Sequence, residues 1–259
     1  MKQIFKVLGI TAIMLFSFYY TEKIALYAQN QNPIMKEINV AKDNLKVESV
    51  DAVVYNEYII PGINGLEVNV SKSFSKMKSF DAFNSYYLVF DQVRPDISLE
   101  NNKHKIIKKG NKIKRSVALV LDDNANIKNY ILENKIKVSV LTTYENYENG
   151  TNFEIINNDS NNFDKLDTQL NKLNQNNHIC VINNSNKAKC LEKGYYLVEI
   201  TKELNSTNIA SIKKDIESGD IILINKTATL DDFKLMISQI KYHDLNIVYL
   251  SELITEENN

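Results

Sequence analysis

Residues 116–123 read S-V-A-L-V-L-D-D, an apolar run that ends in two neighbouring carboxylates. A run of this kind shows no polar face, as is typical of a strand buried on both faces of a parallel sheet. Downstream, apolar runs of similar form alternate with segments of helical periodicity. This alternation predicts strands at 116–121, 137–142, 178–182, 195–200, 220–224 and 246–250, and helices at 127–134, 164–174, 187–192, 209–217 and 230–242.

Strands that alternate with helices through short connections predict parallel β/α units. In such folds the chemistry lies where the strands end at their carboxyl termini. This rule selects the pair Asp122-Asp123, the segment that follows Ile182, and Asn225. One carboxylate of the pair can act as a base while the other binds a metal ion. The same residues are also ordinary for a turn that begins a helix, so both interpretations stay open.

Four stretches of the second half resemble motifs of the polysaccharide deacetylase family (carbohydrate esterase family 4), and the resemblance runs from about residue 113 to residue 254. The family motifs T-F-D-D-G, K-A-T-F-F-V, G-D-I-I-L-L-H and L-S-E-L correspond to Leu119–Asn124, Lys137–Thr142, Gly219–Asn225 and Leu250–Leu253. Members are metal-dependent enzymes that remove acetyl groups from glycans. The resemblance therefore implies an α/β fold, an incomplete (β/α) barrel of the glycoside hydrolase and deacetylase type.

The resemblance also assigns the catalytic positions. In the family the first aspartate of the pair is the base, the second binds the metal, and a late histidine is the general acid. These roles fall on Asp122, Asp123 and Asn225. An amide cannot carry a proton as an imidazole does, so the position of the acid is vestigial.

The metal and substrate positions have changed in the same way. The two metal-binding histidines of the family fall on Asn158 and Asn162, and the substrate loop falls on Asn183 and Asn184. Carboxamides are poor ligands for zinc compared with imidazole. The sequence thus predicts that no zinc or other divalent metal is bound, with a metal required only if the protein is an active enzyme.

The N-terminus indicates export. Lys2 and Lys6 precede an apolar stretch from Val7 to Tyr20 that shows no polar face. It predicts a signal anchor or signal peptide at 1–28, with the domain outside the cell membrane, or secreted if the signal is cleaved. Cys180 and Cys190 are too few for a disulfide framework, and we expect two buried free thiols.

Before the β/α region we predict a polar tether at 29–50 and a small β-rich region at 51–110, followed by the deacetylase-like domain at 111–259. The formal net charge of −1 gives no electrostatic reason to expect a nucleic-acid partner. A cell-wall or surface glycan is the expected partner. Three functions remain open: an inactive glycan-binding or scaffolding protein, an active deacetylase with an altered metal site, and an interaction protein that acts through 51–110.

Overall fold

The structure, a computed structural model, describes residues 2–148, 153–183, 185–212 and 215–257. The chain divides into two compact units, one made of residues 1–48 and 65–93 and the other of residues 49–64 and 94–259. In chain order the strands are β1 (Val53–Tyr55), β2 (Tyr58–Ile60), β3 (Gly65–Val68), β4 (Phe90–Val93), β5 (Ile106–Ile107), β6 (Ser116–Leu121), β7 (Ser139–Thr142), β8 (Glu154–Asn157), β9 (Ile179–Val181), β10 (Tyr196–Val198), β11 (Lys202–Leu204), β12 (Ile221–Ile224) and β13 (Asn246–Val248). The helices are α1 (Lys2–Gln31), α2 (Pro33–Leu45), α3 (Val70–Met77), α4 (Ala125–Asn134), α5 (Phe163–Lys172), α6 (Lys187–Glu192), α7 (Ile209–Ile212), α8 (Leu230–Tyr242) and α9 (Leu250–Ile254).

The first unit contains α1, α2, α3 and the antiparallel pair β3–β4. The signal or anchor predicted for residues 1–28 lies in α1, whose side chains from Ile10 to Tyr20 are exposed. Among the residues described, no helix combines the length and the apolar character needed to cross a membrane.

Residues 29–50 are not the polar tether that the sequence predicts. They hold α2, where the Asn32 side chain accepts a hydrogen bond from the backbone N–H of Ile34 and Pro33 occupies the first turn. Ile34, Met35 and Ile38 are buried in the small core of this unit. The predicted β-rich region 51–110 is also not a separate module, because its residues 65–93 belong to the first unit and the rest to the second.

The second unit contains two mainly parallel sheets. One has the order β1-β2-β5-β10-β9, in which only the β1–β2 hairpin is antiparallel. The other has the order β11-β12-β6-β7-β8, with β13 also paired to β6, and all its pairs are parallel. The mixed α/β class with parallel sheets that the sequence predicts is therefore confirmed.

Strand β6 is buried along its whole length and separates two hydrophobic clusters. Because successive side chains of a strand point to opposite faces, Val117, Leu119 and Leu121 pack with residues of α4 and α8. Ala118 and Val120 pack on the other face with residues of the five-stranded sheet. The second of these clusters therefore lies between the two sheets, and packing on both faces of β6 fixes the position of its carboxyl end.

The prediction of two free thiols is wrong. Cys180 in β9 and Cys190 in α6 form a disulfide with a Cα–Cα distance of 6.2 Å. Both residues are fully buried. The chain returns through α6 to lie against β9, and this arrangement in space cannot be deduced from two cysteines ten positions apart.

Candidate functional site at the strand ends

The predicted base position, Asp122, and the predicted acid position, Asn225, follow adjacent strands. In the parallel pair β6–β12, Leu121 is in register with Ile224. The next residue on β6, Asp122, donates its backbone N–H to the carbonyl of Ile224 at 3.0 Å. Asp122 and Asn225 therefore follow neighbouring strands at the same edge of the sheet.

The Asp-Asp-Asn segment both starts a helix and presents carboxylates. Asp122 is half-buried and its Oδ1 accepts the backbone N–H of Asp123 at 3.0 Å, while Asp123 is exposed. Asn124 caps α4 by accepting the N–H of Ile127, and its Nδ2 donates to the carbonyl of Ala228 at 3.0 Å. The helix-cap interpretation thus holds for Asn124, and the two carboxylates keep side-chain oxygens at the surface.

Asn225 is held in a turn. Its Oδ1 accepts the backbone N–H of Thr227 at 3.0 Å and the hydroxyl of Thr227 at 3.1 Å. Its Nδ2 donates to Oε1 of Glu203 at 2.6 Å. Glu203 lies in β11, a three-residue strand that the sequence analysis missed because it is too short to show a period. A carboxylate thus fixes the amide at the position where the family has its acid.

The second group of predicted residues forms its own amide cluster. Asn158 follows β8, and its Oδ1 accepts hydrogen bonds from Nδ2 of Asn183 at 3.3 Å and of Asn186 at 3.5 Å. Asn183 in turn accepts the backbone N–H groups of Ser185 and Asn186. Asn184, also predicted to bind substrate, lies outside the described residues. The oxygen of Asn158 is therefore used within the protein.

Asn162 is placed by a neighbouring carboxylate that the sequence analysis did not single out. Asp159 is buried, and its carboxylate accepts the backbone N–H groups of Asn162 at 2.7 Å, Asn161 at 2.9 Å and Tyr144 at 2.8 Å. Burial by itself raises the pKa of Asp159, but these backbone hydrogen bonds and the charge of Lys165 outweigh it, so the pKa is lowered. Asp159 thus fixes the loop that carries two of the three predicted metal positions, Asn158 and Asn162.

We call the polar surface formed by Asp122, Asp123, Asn158, Asn183 and Asn225 the strand-end surface. Strands β6 and β8 are both paired to β7, and neighbouring strands lie about 4.8 Å apart. The carboxylates after β6 and the amide cluster after β8 are therefore separated by roughly 10 Å. The carboxylates follow β6 and lie between the amide of Asn225, which follows β12, and the amide cluster that follows β8.

The side chains of this surface do not fit the metal that the resemblance implies. Within the described residues, no group of three or more histidine, cysteine, aspartate or glutamate side chains is placed to hold a metal ion. The amide oxygens of Asn158 and Asn225 accept hydrogen bonds from the protein itself. Zinc sites require imidazole, thiolate or carboxylate ligands, and a neutral amide stands here at two of the three metal positions, Asn158 and Asn162.

Comparisons with known proteins agree with this fold. The structure resembles a carbohydrate esterase family 4 pseudoenzyme from Bacillus anthracis, BA3943, with a TM-score of 0.54 and 17% identity over 88% of this chain and 97% of that one. It also resembles a mutant of BA3943 described as having restored enzymatic activity, with a TM-score of 0.53 and 18% identity over 87% and 99%. The chain therefore has a divergent polysaccharide-deacetylase-like fold.

One curated sequence is similar over a shorter stretch. The uncharacterized protein YlxY of Bacillus subtilis (strain 168) is 33% identical over 94 residues, which are 36% of this chain and 30% of that protein. The matched stretch thus covers less than a third of the length of YlxY. No family model matches the sequence.

Proposed function

We propose that this protein is an exported, catalytically inactive relative of polysaccharide deacetylases that binds a glycan at the strand-end surface without hydrolysing it. The observation that carries the proposal is that amides replace the histidines of the family and form hydrogen bonds within the protein, which supports the loss of catalysis. At the metal and acid positions, Asn158 and Asn225 are engaged in hydrogen bonds inside the protein. In this proposal the two sheets correspond to an incomplete (β/α) barrel.

The loss of catalysis follows from the chemistry of the replacements. Attack on an acetyl group needs an activated water and a polarised carbonyl, and a metal ion supplies both in a deacetylase. The resemblance to a family 4 pseudoenzyme supports the same interpretation, and a mutant of that protein is described as active again.

Two features support export. The disulfide between Cys180 and Cys190 suits an oxidising compartment outside the cytoplasm, since thiols inside are kept reduced. The exposed apolar side chains of α1, such as Ile13 and Phe18, are those expected of a signal segment that enters the membrane during export.

The strand-end surface is suited to sugar hydroxyls because the half-buried carboxylate of Asp122 and the exposed carboxylate of Asp123 offer acceptors. Tyr144, whose backbone N–H donates to Asp159, is 42% exposed, whereas Tyr195 precedes β10 at the other end of the strands and is 2% exposed. The Tyr147 hydroxyl donates to Gln175. Tyr144 is therefore the ring that a sugar would contact, and one ring with a few hydrogen bonds implies an affinity of about 1 mM.

The proposal is tested by titrating cell-wall oligosaccharides into the isotope-labelled protein while following the amide signals of Asn158, Asn183 and Asn225. We expect these signals to shift with a dissociation constant of about 1 mM, and Tyr144→Ala to weaken binding severalfold. Tyr242→Ala is the matched control, because Tyr242 is 81% exposed at the end of α8. Unmoved signals at saturating ligand would show that this surface does not bind glycans. Release of acetate from the oligosaccharides would show that the protein is an enzyme.

A further inference from the structure

A cavity lies at the opposite end of the second unit from the strand-end surface. It has a volume of about 260 Å³, and its wall includes Ile179 and Tyr196, the first residues of β9 and β10. The strand-end surface follows the last residues of strands, so the two places are distinct. At this volume the cavity accepts a small metabolite rather than a polymer.

One wall of this cavity offers hydrogen-bond donors. Arg94 is exposed there, and its guanidinium makes no hydrogen bond to any residue that the structure describes. Asn177 lines the same cavity, and its Oδ1 accepts the N–H of Ile179 at 3.1 Å, which fixes the orientation of the amide. The Nδ2 of Asn177 is buried and has no acceptor among the described side chains and backbone. A buried donor without a partner is costly, so this group favours an acceptor from a ligand.

The carboxylates around the cavity differ in how they are used. Glu100 is paired with Lys103 at 2.8 Å and accepts the hydroxyl of Tyr196 at 2.9 Å. Oε1 of Glu256 accepts the backbone N–H groups of Gly62 and Leu99. The exposed carboxylate of Glu257 forms no salt bridge with any described lysine or arginine, and its charge only partly offsets the burial that lowers the pKa of Lys114. The cavity therefore presents a guanidinium and an amide donor together with an available carboxylate.

We infer that this cavity binds a small zwitterion, an amino acid or the amino-acid end of a short peptide. Arg94 and Nδ2 of Asn177 receive its carboxylate, since a guanidinium matches the two oxygens of a carboxylate. Glu257, with the second oxygen of Glu256, receives its ammonium group. A simple anion is disfavoured because three carboxylates border the cavity, and a simple cation leaves the donors of Arg94 and Asn177 without an acceptor. The inference does not depend on the proposed glycan binding.

The test uses the full-length protein labelled with ¹⁵N and a ladder of amino acids of increasing length, glycine, 4-aminobutyrate and 6-aminohexanoate. Acetate, butyrate, hexanoate and the matching alkylamines serve as single-charge controls at equal ionic strength. We expect the amide signals of Asn177 and Tyr196 to shift with at least one amino acid, and the matching acid and amine to bind at least about tenfold more weakly. The length of the amino acid that binds most tightly reports the distance between the groups that receive its carboxylate and its ammonium group.

Two variants separate this site from non-specific binding. Arg94→Gln removes the guanidinium, and Asn177→Asp keeps an oxygen for Ile179 while placing a negative charge where the donor was. Each should weaken binding by about tenfold or more. Arg115→Gln is the matched control, because Arg115 is the other arginine of the chain and is exposed beside Asp244. The inference is overturned if no amino acid shifts these signals at about 50 mM, a concentration that would detect even millimolar affinity. It is also overturned if the acids alone bind equally well, or if Arg94→Gln binds like the wild type.

Discussion

Replacement of Asp159 by asparagine should destabilise the loop that carries Asn158 and Asn162, two of the three predicted metal positions. The carboxylate accepts three backbone N–H groups, two at Oδ1 and one at Oδ2. An amide places an NH₂ group at one of these oxygens, so at least one charge-assisted hydrogen bond becomes a contact between two donors. Such a bond contributes about 1.5–3 kcal/mol, and the buried donor left behind adds to the loss. We expect the free energy of unfolding to fall by about 3 kcal/mol.

The assay is urea unfolding followed by circular dichroism at neutral and at acidic pH. The pKa of Asp159 is lowered in the folded protein, because backbone hydrogen bonds outweigh the effect of burial. A lowered pKa gives stability that is present above the unfolded value of about 3.9 and is lost as pH falls through the folded value. The difference between wild type and Asp159→Asn should therefore be full at neutral pH and shrink only below about pH 4.

Asp123→Asn is the control for this measurement, since Asp123 is exposed and follows the same kind of strand end. It should change the unfolding free energy by no more than about 0.5 kcal/mol. A similarly small effect for Asp159→Asn at neutral pH would refute the conclusion that the Asp159 carboxylate stabilises this loop.

Three further changes test the packing around the site. Reduction of the disulfide, or Cys180→Ser with Cys190→Ser, should lower the unfolding free energy by about 3 kcal/mol for a loop of this length, measured by thermal unfolding with and without dithiothreitol. Asn124→Ala should cost about 1–2 kcal/mol in urea unfolding, since it removes the cap of α4; an unchanged midpoint would contradict this role. Gly219→Ala should destabilise by more than about 2 kcal/mol, because φ is +91° and the new Cβ would lie 2.3 Å from the carbonyl oxygen of Gly110; soluble protein of wild-type melting temperature would contradict it.

The elements that the sequence predicts well are those with a strong apolar pattern. Strand β6 and helices α6 and α8 have the predicted bounds. Strands β5, β8 and β11 were missed because two to four residues cannot show a period of two. The last strand was predicted to run to Leu250, but β13 ends at Val248 and Leu250 begins α9, where the side chain of Glu252 accepts the backbone N–H of Tyr249.

The organisation of the N-terminal half was predicted less well. The start of α2 had a recognisable signal, Asn32-Pro33 followed by Ile34, Met35 and Ile38, and this signal was outweighed by the polar composition of the segment. The division of residues 51–110 between two units depends on pairings such as β2–β5, which join strands far apart in sequence. No local pattern encodes such a pairing.

For the candidate site, the sequence predicts which residues follow the strands but not what their side chains bind. Asp122 and Asn225 could be placed at the carboxyl ends of parallel strands from the alternation of strands and helices, but the direct pairing of those two strands could not be predicted. The contact of Asn225 with Glu203 could not, because Glu203 lies on a strand without a sequence signal. The role of Asp159 depends on the loop conformation, which brings three N–H groups to one carboxylate.

The central claim is that a deacetylase-like fold here lacks a catalytic metal because amides stand at the metal and acid positions. It is tested most directly by measuring the zinc content of the dialysed protein together with acetate release from acetylated chitooligosaccharides. The account predicts far less than one zinc per chain and no acetate release. Stoichiometric zinc, with acetate release that is abolished by Asp122→Asn, would contradict it.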